Sequence, residues 1–330
     1  RPGAVLCGRY LLEYQLGAGG SAVVFAASDL RAEATQSPAR VALKLVRPDL
    51  HCIDIATERL KREYRLAQVL SHPNLIHAYE LDCDDGRWFM TMELLEGQTL
   101  AAALKNAPEA LGTQRALDIL RACSQALTFA HEHGVVHGDL KPANIFLTHA
   151  GEVRVLDLGA ATETDPAAPR QRPAASAHYA SPEVATGLRP DHRDDVFSFA
   201  CIAYELLSGR HPFGRPPLSA RAQGLQPVRA WNLTDRQWYP LEAALSFDRN
   251  QRPASIRALC ADLFSREVAP PLPTGGEVAQ APELDAFVGA SNPFAGDRNG
   301  LSAFGIAAVA AALLLTGVAV YSQLDRNPDW

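Results

Sequence analysis

The stretch His137–Phe146, HGDLKPANIF, crowds an aspartate, a lysine and an asparagine into a few residues. Gly138 and Pro142 keep it out of regular structure. It follows a helical pattern, Gln114–His133, that stops at Gly134. A continuous helix or strand through the middle of the chain is therefore excluded, and a short polar loop must be held there.

The residue types in that loop suit phosphoryl transfer, which depends mainly on positioning and charge neutralisation. Asp139 can accept or orient a hydroxyl proton, Lys141 can neutralise a transferring phosphoryl group, and Asn144 can offer its oxygen to Mg²⁺. Downstream, the run Val153–Gly159 (VRVLDLG) reads as a strand ending in Gly159 and in Asp157, thirteen residues after Asn144. A carboxylate at a strand end is well placed as a hard metal ligand.

The first part of the chain supplies a matching set of features. Residues 10–25, YLLEYQLGAGGSAVVF, are two β-like runs around Gly17, Gly19 and Gly20, whose backbone can close over phosphates without side-chain clash. In Val41–Val46, alternation puts Val41, Leu43 and Leu45 on one face and Ala42, Lys44 and Val46 on the other. A lysine in an apolar strand needs a partner or a path to solvent. Ala42 leaves room for a flat ring, with Val24 as a second part of the same roof. The helical pattern Ile55–Leu70 carries Leu60, Tyr64 and Ala67 on one stripe, and Glu63 beside it is the candidate partner of Lys44, with Glu58 as competitor. That helix breaks at Pro73. Met90–Gly97 reads as a strand running into a turn at Gly97, and its backbone at Glu93 and Leu95 could read an adenine edge.

Taken together, these motifs resemble the bacterial eukaryotic-like (Hanks-type) serine/threonine protein kinases, over about residues 10–266. The resemblance implies an α+β bilobal fold with a small β-rich lobe (about 10–93) and a large helical lobe (about 94–266). It implies ATP with Mg²⁺, or Mn²⁺ in its place, as cofactors, and Ser/Thr phosphorylation of proteins, autophosphorylation included. Asp139 and Lys141 become the catalytic residues, and Asn144 and Asp157 the metal ligands. Leu16, Gly17, Ala18, Gly19, Gly20, Val24, Ala42, Lys44, Glu63, Glu93, Leu95 and Phe146 become the ATP site. The same match makes Ser181-Pro-Glu183 the end of the activation segment, pairs Glu183 with Arg252, has Asp195 brace the catalytic loop, and sets Ser176 against the catalytic aspartate. Protein substrates and a cognate phosphatase are the partners it implies, and small residues such as Gly305, Ala308 and Ala312 in the apolar run near the C-terminus leave a homodimer open.

Departures from the family pattern are Ala22 for the third glycine, Leu158 for Phe, Ala200 for Gly, and Gly138 for the arginine before Asp139. Without that arginine a phosphorylated activation segment lacks its main cationic anchor, so activity is expected not to depend strongly on phosphate there. Thr162, Thr164 and Ser176 are the candidate acceptors. His-Gly-Asp followed by Asn also resembles aminoglycoside and choline phosphotransferases. Lys141, Ser-Pro-Glu and Asp195 favour the protein kinase over that alternative. A pseudokinase scaffold is disfavoured because Lys44, Asp139 and Asp157 are all retained.

With 330 residues the chain has room for two lobes and an appendage. Its net charge of −6 leaves no footprint for nucleic acid. Six dispersed cysteines without a CxxC pair read as reduced thiols rather than a metal site or disulfide scaffold. The chain starts at Arg1 and is treated as a fragment, with no secretory signal visible. Residues 267–300, rich in Pro, Gly, Ala and acids, read as a flexible linker. Residues 301–323 carry no charge and as a helix would extend about 34 Å, enough to span a bilayer core of about 30 Å. The expectation is a single-pass anchor in the inner membrane, with a cytoplasmic kinase domain and a short tail at 324–330. Arg298 and Arg326 flank the run on either side, so charge alone does not orient it.

Overall fold

Alternating apolar residues in the first 92 positions build one antiparallel sheet. Its strands are β1 (Val5–Leu6), β2 (Tyr10–Ala18), β3 (Ala22–Asp29), β4 (Arg40–Val46), β5 (Ala78–Asp84) and β6 (Arg87–Met92), in the order β1-β2-β3-β4-β6-β5. The computed structural model describes residues 1–32, 39–47, 53–106, 111–158, 162–163 and 178–264. All of them lie in one unit, Arg1–Glu267.

Strand β4 is central and buries both faces. Val41, Leu43 and Leu45 join Tyr10, Leu12, Phe25 and Phe89 on one side. Val46 meets Leu60, Ala56 and Met90 on the other, where helix α1 (Ile53–Val69) packs. The sheet is thus a layer with a core on each face, and full burial of a Leu or Phe side chain contributes about 1.5–3 kcal/mol.

A β-rich part and a helical part are both present, as the expected α+β division requires. Strand β7 (Gly97–Thr99) opens the helical part, followed by α2 (Leu100–Asn106) and α3 (Thr113–Glu132). Short strands β8 (Val135–Val136), β9 (Ile145–Thr148), β10 (Val153–Val155) and β11 (Thr162–Glu163) flank the loop at 137–144. Helices α4 (Pro182–Ala185), α5 (His192–Ser208), α6 (Pro217–Ala222), α7 (Asp235–Ala244) and α8 (Ile256–Leu263) complete it.

Helix α5 is buried almost along its length and is the centre of this core, with Phe197, Phe199 and Tyr204 all nearly inaccessible. Its ends are fixed by local chemistry. Asp191 and Asp194 form a reciprocal capping box at the start, and Gly209 turns left-handed at the end (φ 77°).

Two strand expectations need correction. Val153–Gly159 is strand only to Val155; Asp157 lies beyond it in a left-handed conformation (φ 63°), and Gly159 lies outside the described residues. Gly97 does not close a turn after β6 but begins β7, pairing with Thr148. A Cβ at Gly97 would overlap the Leu147 carbonyl, which is why glycine stands there. The linker 267–300, the apolar run 301–323 and the tail 324–330 also lie outside the described residues. Among the described residues no helix is long and apolar enough to cross a membrane.

The segment between α1 and β5 ties the β-rich part to the helical part. Asn74 Nδ2 donates to the Val153 carbonyl (3.0 Å), Val155 N to the Asn74 carbonyl (2.8 Å) and Ile76 N to the Val155 carbonyl (3.1 Å). This mooring carries β4 and α1 over the end of β10, where the site forms.

Candidate active site

Lys44 projects from the central strand, not from an edge. Its Nζ donates to both Glu63 oxygens (2.7 Å each) and to Asp157 Oδ1 (3.0 Å). Glu63 is 4% exposed on the inner face of α1, whereas Glu58 is exposed and pairs with Lys61. Helical spacing alone left both glutamates open, and the geometry selects Glu63.

The cluster buries Glu63 and most of Lys44, while the Asp157 side chain stays 42% exposed. Burial is the largest influence on both members of the Lys44–Glu63 pair. For Lys44 the two carboxylates overcome it and hold the ammonium charged. For Glu63 burial and the neighbouring Asp157 charge outweigh Lys44, and its carboxyl is pushed up to about 7. A divalent cation beside Asp157 would relieve that surplus of negative charge.

The loop at 137–144 is held from beneath. Asp195, 1% exposed on α5, accepts from Gly138 N (2.9 Å) and His137 N (2.8 Å). It also bonds His131 Nε2 at 2.7 Å. Burial would raise the Asp195 carboxyl, but these hydrogen bonds and the two histidines hold it below its usual range. Gly138 has φ 74°, a left-handed conformation that glycine adopts without cost.

Above this brace Lys141 Nζ donates to Asp139 Oδ2 (2.6 Å) and Asn144 Nδ2 to the Asp139 carbonyl (2.9 Å). With its nitrogen so engaged, the Asn144 oxygen is the atom left to face a hard cation. Leu156 N donates to the Asn144 carbonyl (2.8 Å), and the Leu156 carbonyl bonds His137 Nε2 (3.1 Å). Asn144 and Asp157 are therefore joined through one residue of backbone. A carboxylate and an amide oxygen on joined loops are a donor set that fits Mg²⁺.

Strand register brings the glycine turn to the same place. Gly17 opposes Val24, and Val24 opposes Lys44. Gly19 N closes the turn on the Ala22 carbonyl (2.8 Å), with Gly20 between them and Ala18 and the half-exposed Leu16 on the strand before it. Ala42 is buried one alternation from Lys44. At the start of the connection from β6 to β7, Glu93 spends its amide on the His77 carbonyl (3.0 Å). Its side chain accepts from His77 N (2.9 Å) and pairs with Arg154 (3.4 Å). Among the described residues the Leu95 amide and carbonyl meet no protein partner, leaving one donor and one acceptor for the edge of a flat ring. Phe146, half-buried on β9, opposes Thr99 on β7.

A second charged cluster lies away from this cleft. Arg252, with no side-chain exposure, pairs with Glu183 (2.6 Å) and Asp194 (3.2 Å). Arg249 pairs with Asp194 at 2.6 Å, and Ser181 Oγ donates to Asp194 at 2.8 Å. The side chain of Thr162, and Thr164 and Ser176 entire, lie outside the described residues. The sequence reading overlooked His131 and Arg249. For His131 a signal existed: a histidine beside Leu127 and Ala130, on the buried side of α3, must find a buried partner.

Comparison with known proteins follows this geometry. A family model described as "Protein kinase domain" matches residues 10–266. The serine/threonine-protein kinase PrkC of Bacillus subtilis is 32% identical, over 72% of this chain and 36% of that protein. The serine/threonine-protein kinase PknB of Mycolicibacterium smegmatis is 36% identical, over 66% of this chain and 35% of that one. The chain thus spans about a third of the length of these curated relatives. Among solved structures, the Mycobacterium tuberculosis PknI kinase domain matches with a TM-score of 0.59 and 25% identity, over 80% of this chain and 97% of that one.

Proposed function

The chain belongs to the protein kinase family, in its bacterial Hanks-type serine/threonine branch, and from that premise we propose that it transfers the γ-phosphoryl group of ATP to serine or threonine hydroxyls of protein substrates, its own included. The observation that carries the reading is the junction of two clusters. Lys44–Glu63–Asp157 and Asp139–Lys141–Asn144 meet through the backbone of Leu156.

In this reading Glu63 holds Lys44 extended, and Lys44 binds the α- and β-phosphates. The turn at Gly17–Gly20 covers them, while Glu93 and Leu95 read the adenine edge by backbone. Asp139 orients the substrate hydroxyl and receives its proton as the new O–P bond forms. Lys141 neutralises the transferring group while the bond to the β-phosphate oxygen breaks. Asn144 and Asp157 would hold Mg²⁺, which supplies charge neutralisation between β- and γ-phosphates.

Labelled ATP with a generic protein substrate tests this on the full chain. Labelled protein with wild type and none with Asp139→Ala is expected. Label on a small aminoglycoside or choline acceptor instead, or nucleotide binding without transfer in wild type, overturns it.

Residues 301–323 are read as a single-pass membrane anchor joined to the domain by the linker at 267–300, with the catalytic domain on the cytoplasmic side. The length and lack of charge of the run support this. Resistance of residues 10–266 to external protease in spheroplasts is the expected result, and digestion from outside overturns it. Replacement of the arginine before Asp139 by Gly138 supports an activity that does not require a phosphorylated activation segment. Loss of turnover on Thr162→Ala or Thr164→Ala, matched by loss when the wild type is dephosphorylated at the same threonine, would contradict this.

A further inference from the structure

Between Gly209 and Tyr239 the chain carries five arginines and one aspartate, in a protein of net charge −6. Arg210, Arg215, Arg221, Arg229 and Arg236 are all exposed. Leu218, Leu225, Val228, Trp231 and Tyr239 are exposed in the same stretch. They are five of the twelve exposed large apolar side chains among the described residues, so apolar exposure concentrates where positive charge does. Trp231 is 97% accessible and Tyr239 61%.

Trp231 is presented by a fixed backbone. Ala230 and Leu233 around it are buried at 3% each. Tyr204 Oη donates to the Val228 carbonyl (2.6 Å) and Asn232 Nδ2 to the Leu207 carbonyl (2.5 Å), so both sides of the tryptophan are anchored on α5. Thr234 and Gln237 close a capping box at the start of α7. The one aspartate, Asp235, is tied to Arg229. A rigidly displayed tryptophan and tyrosine, set among five arginines against two exposed acids, Asp235 and Glu242 at the far end of α7, match the chemistry of an anionic lipid interface. Indole and phenol rings settle at headgroup depth, and arginines meet the phosphates.

We propose that the face formed by α6, residues 223–234 and α7 seats on an anionic membrane surface. The proposal rests on the reading of residues 301–323 as a membrane span, because the linker at 267–300 then keeps the domain within reach. A flexible chain of that length has an end-to-end distance of about 30 Å. Seating by this face adds a second contact to the single tether and orients the domain on the bilayer.

The test uses the full chain in nanodiscs of phosphatidylcholine, alone or with phosphatidylglycerol. Amide hydrogen exchange across residues 210–239 is expected to slow only in the anionic discs, and to recover at high salt. Arg215→Ala and Arg221→Ala should each reduce that protection roughly fivefold. Trp231→Ala should reduce it without changing phosphorylation of a soluble peptide. Equal exchange in both lipids, or protection of this face by a second copy or a soluble protein without lipid, overturns the proposal. Flotation with neutral vesicles reports on the span separately. A chain that fails to float refutes the anchor, and sedimentation with phosphatidylglycerol vesicles then decides the docking face by itself.

Discussion

Two charge clusters in this molecule differ in balance and in burial: Asp157 in the first is 42% exposed, whereas Glu183, Asp194 and Arg252 in the second are buried or nearly so. Around Lys44 there are two carboxylates to one ammonium. Around Arg252 there are two carboxylates, Glu183 and Asp194, and two guanidinium groups, Arg249 and Arg252. The protonation of the two glutamates follows the balance. Burial acts first on both, but the arginines overcome it at Glu183 and hold that carboxyl below its usual range, while Glu63 is pushed up to about 7. Asp194, 2% exposed, stays raised because burial outweighs its partners, so the balanced cluster also carries a desolvation cost. The balanced cluster closes on itself and can hold the fold without help. In the proposed reading a divalent cation at Asp157 would offset the negative excess of the other.

The most severe break of this contrast is at Asp157. Asp157→Asn removes the carboxylate assigned to the metal, and turnover should fall about a thousandfold or more, roughly 4 kcal/mol of transition-state stabilisation. Because the change also removes surplus negative charge beside Glu63, thermal unfolding should not move downward. A marked loss of melting temperature would show that Asp157 is structural and that the two clusters are alike.

Arg252→Met inverts the experiment. It leaves Glu183 and Asp194 short of a buried partner, and unfolding in urea should lose about 3 kcal/mol. A loss below about 1 kcal/mol would mean that Arg249 alone balances both acids. Nucleotide affinity of the folded fraction should be unchanged, since nothing at Arg252 reaches the cleft.

Protons sharpen the comparison further. Glu63 has a folded value above its ordinary one, so its contribution to stability is fully present below about 4.5 and is lost as pH rises through about 7. The Lys44–Glu63 pair needs the ionised form, so Mg·ATP binding at pH 6 should release up to about one proton. Affinity should weaken by up to about tenfold per pH unit below 7, or about 1.4 kcal/mol. Calorimetry in buffers of different ionisation enthalpy measures the proton directly. Glu63→Gln should abolish the release, whereas Glu183→Gln should leave it intact. Release that persists in Glu63→Gln would assign the titration elsewhere.

What could be read in advance divides along physical lines. Alternation in Val41–Val46 announced both faces of β4, because a strand's period is local. The helical stripe set Glu63 beside the apolar face but did not reject Glu58, five residues and about 140° of helical phase away, since what lies across the gap decides which of them is met. Asp157 was legible as a candidate carboxylate at a strand end, whereas its left-handed backbone was not: the strand ends early where residues 74–76, nearly 80 positions away in sequence, take over the hydrogen bonds of β10. The Glu183–Arg252 pair came from family resemblance; the helical pattern could mark His131 as needing a buried partner, but not that the partner is Asp195, 64 residues away, and no local pattern encodes the contact of Arg249 across 55 residues.

Gly138 shows how one residue can carry two meanings, and it sets the smallest of the expected effects. In sequence it is the absence of an arginine. In the structure its φ of 74° is left-handed, and its amide is one of the groups that Asp195 holds. Alanine there should cost about 1 kcal/mol from backbone strain alone, and asparagine less, because its side chain tolerates the left-handed region. Melting temperature should therefore fall in the order Gly, Asn, Ala, with turnover following it by a factor of a few. Gly138→Arg cannot be compared on stability alone, since it adds a cation as well as strain. It should lose stability as Gly138→Ala does, and in the proposed reading it should gain a response to activation-segment phosphate. If Gly138→Ala and wild type melt together, the left-handed turn is not what glycine serves, and the loss of the arginine is its whole significance.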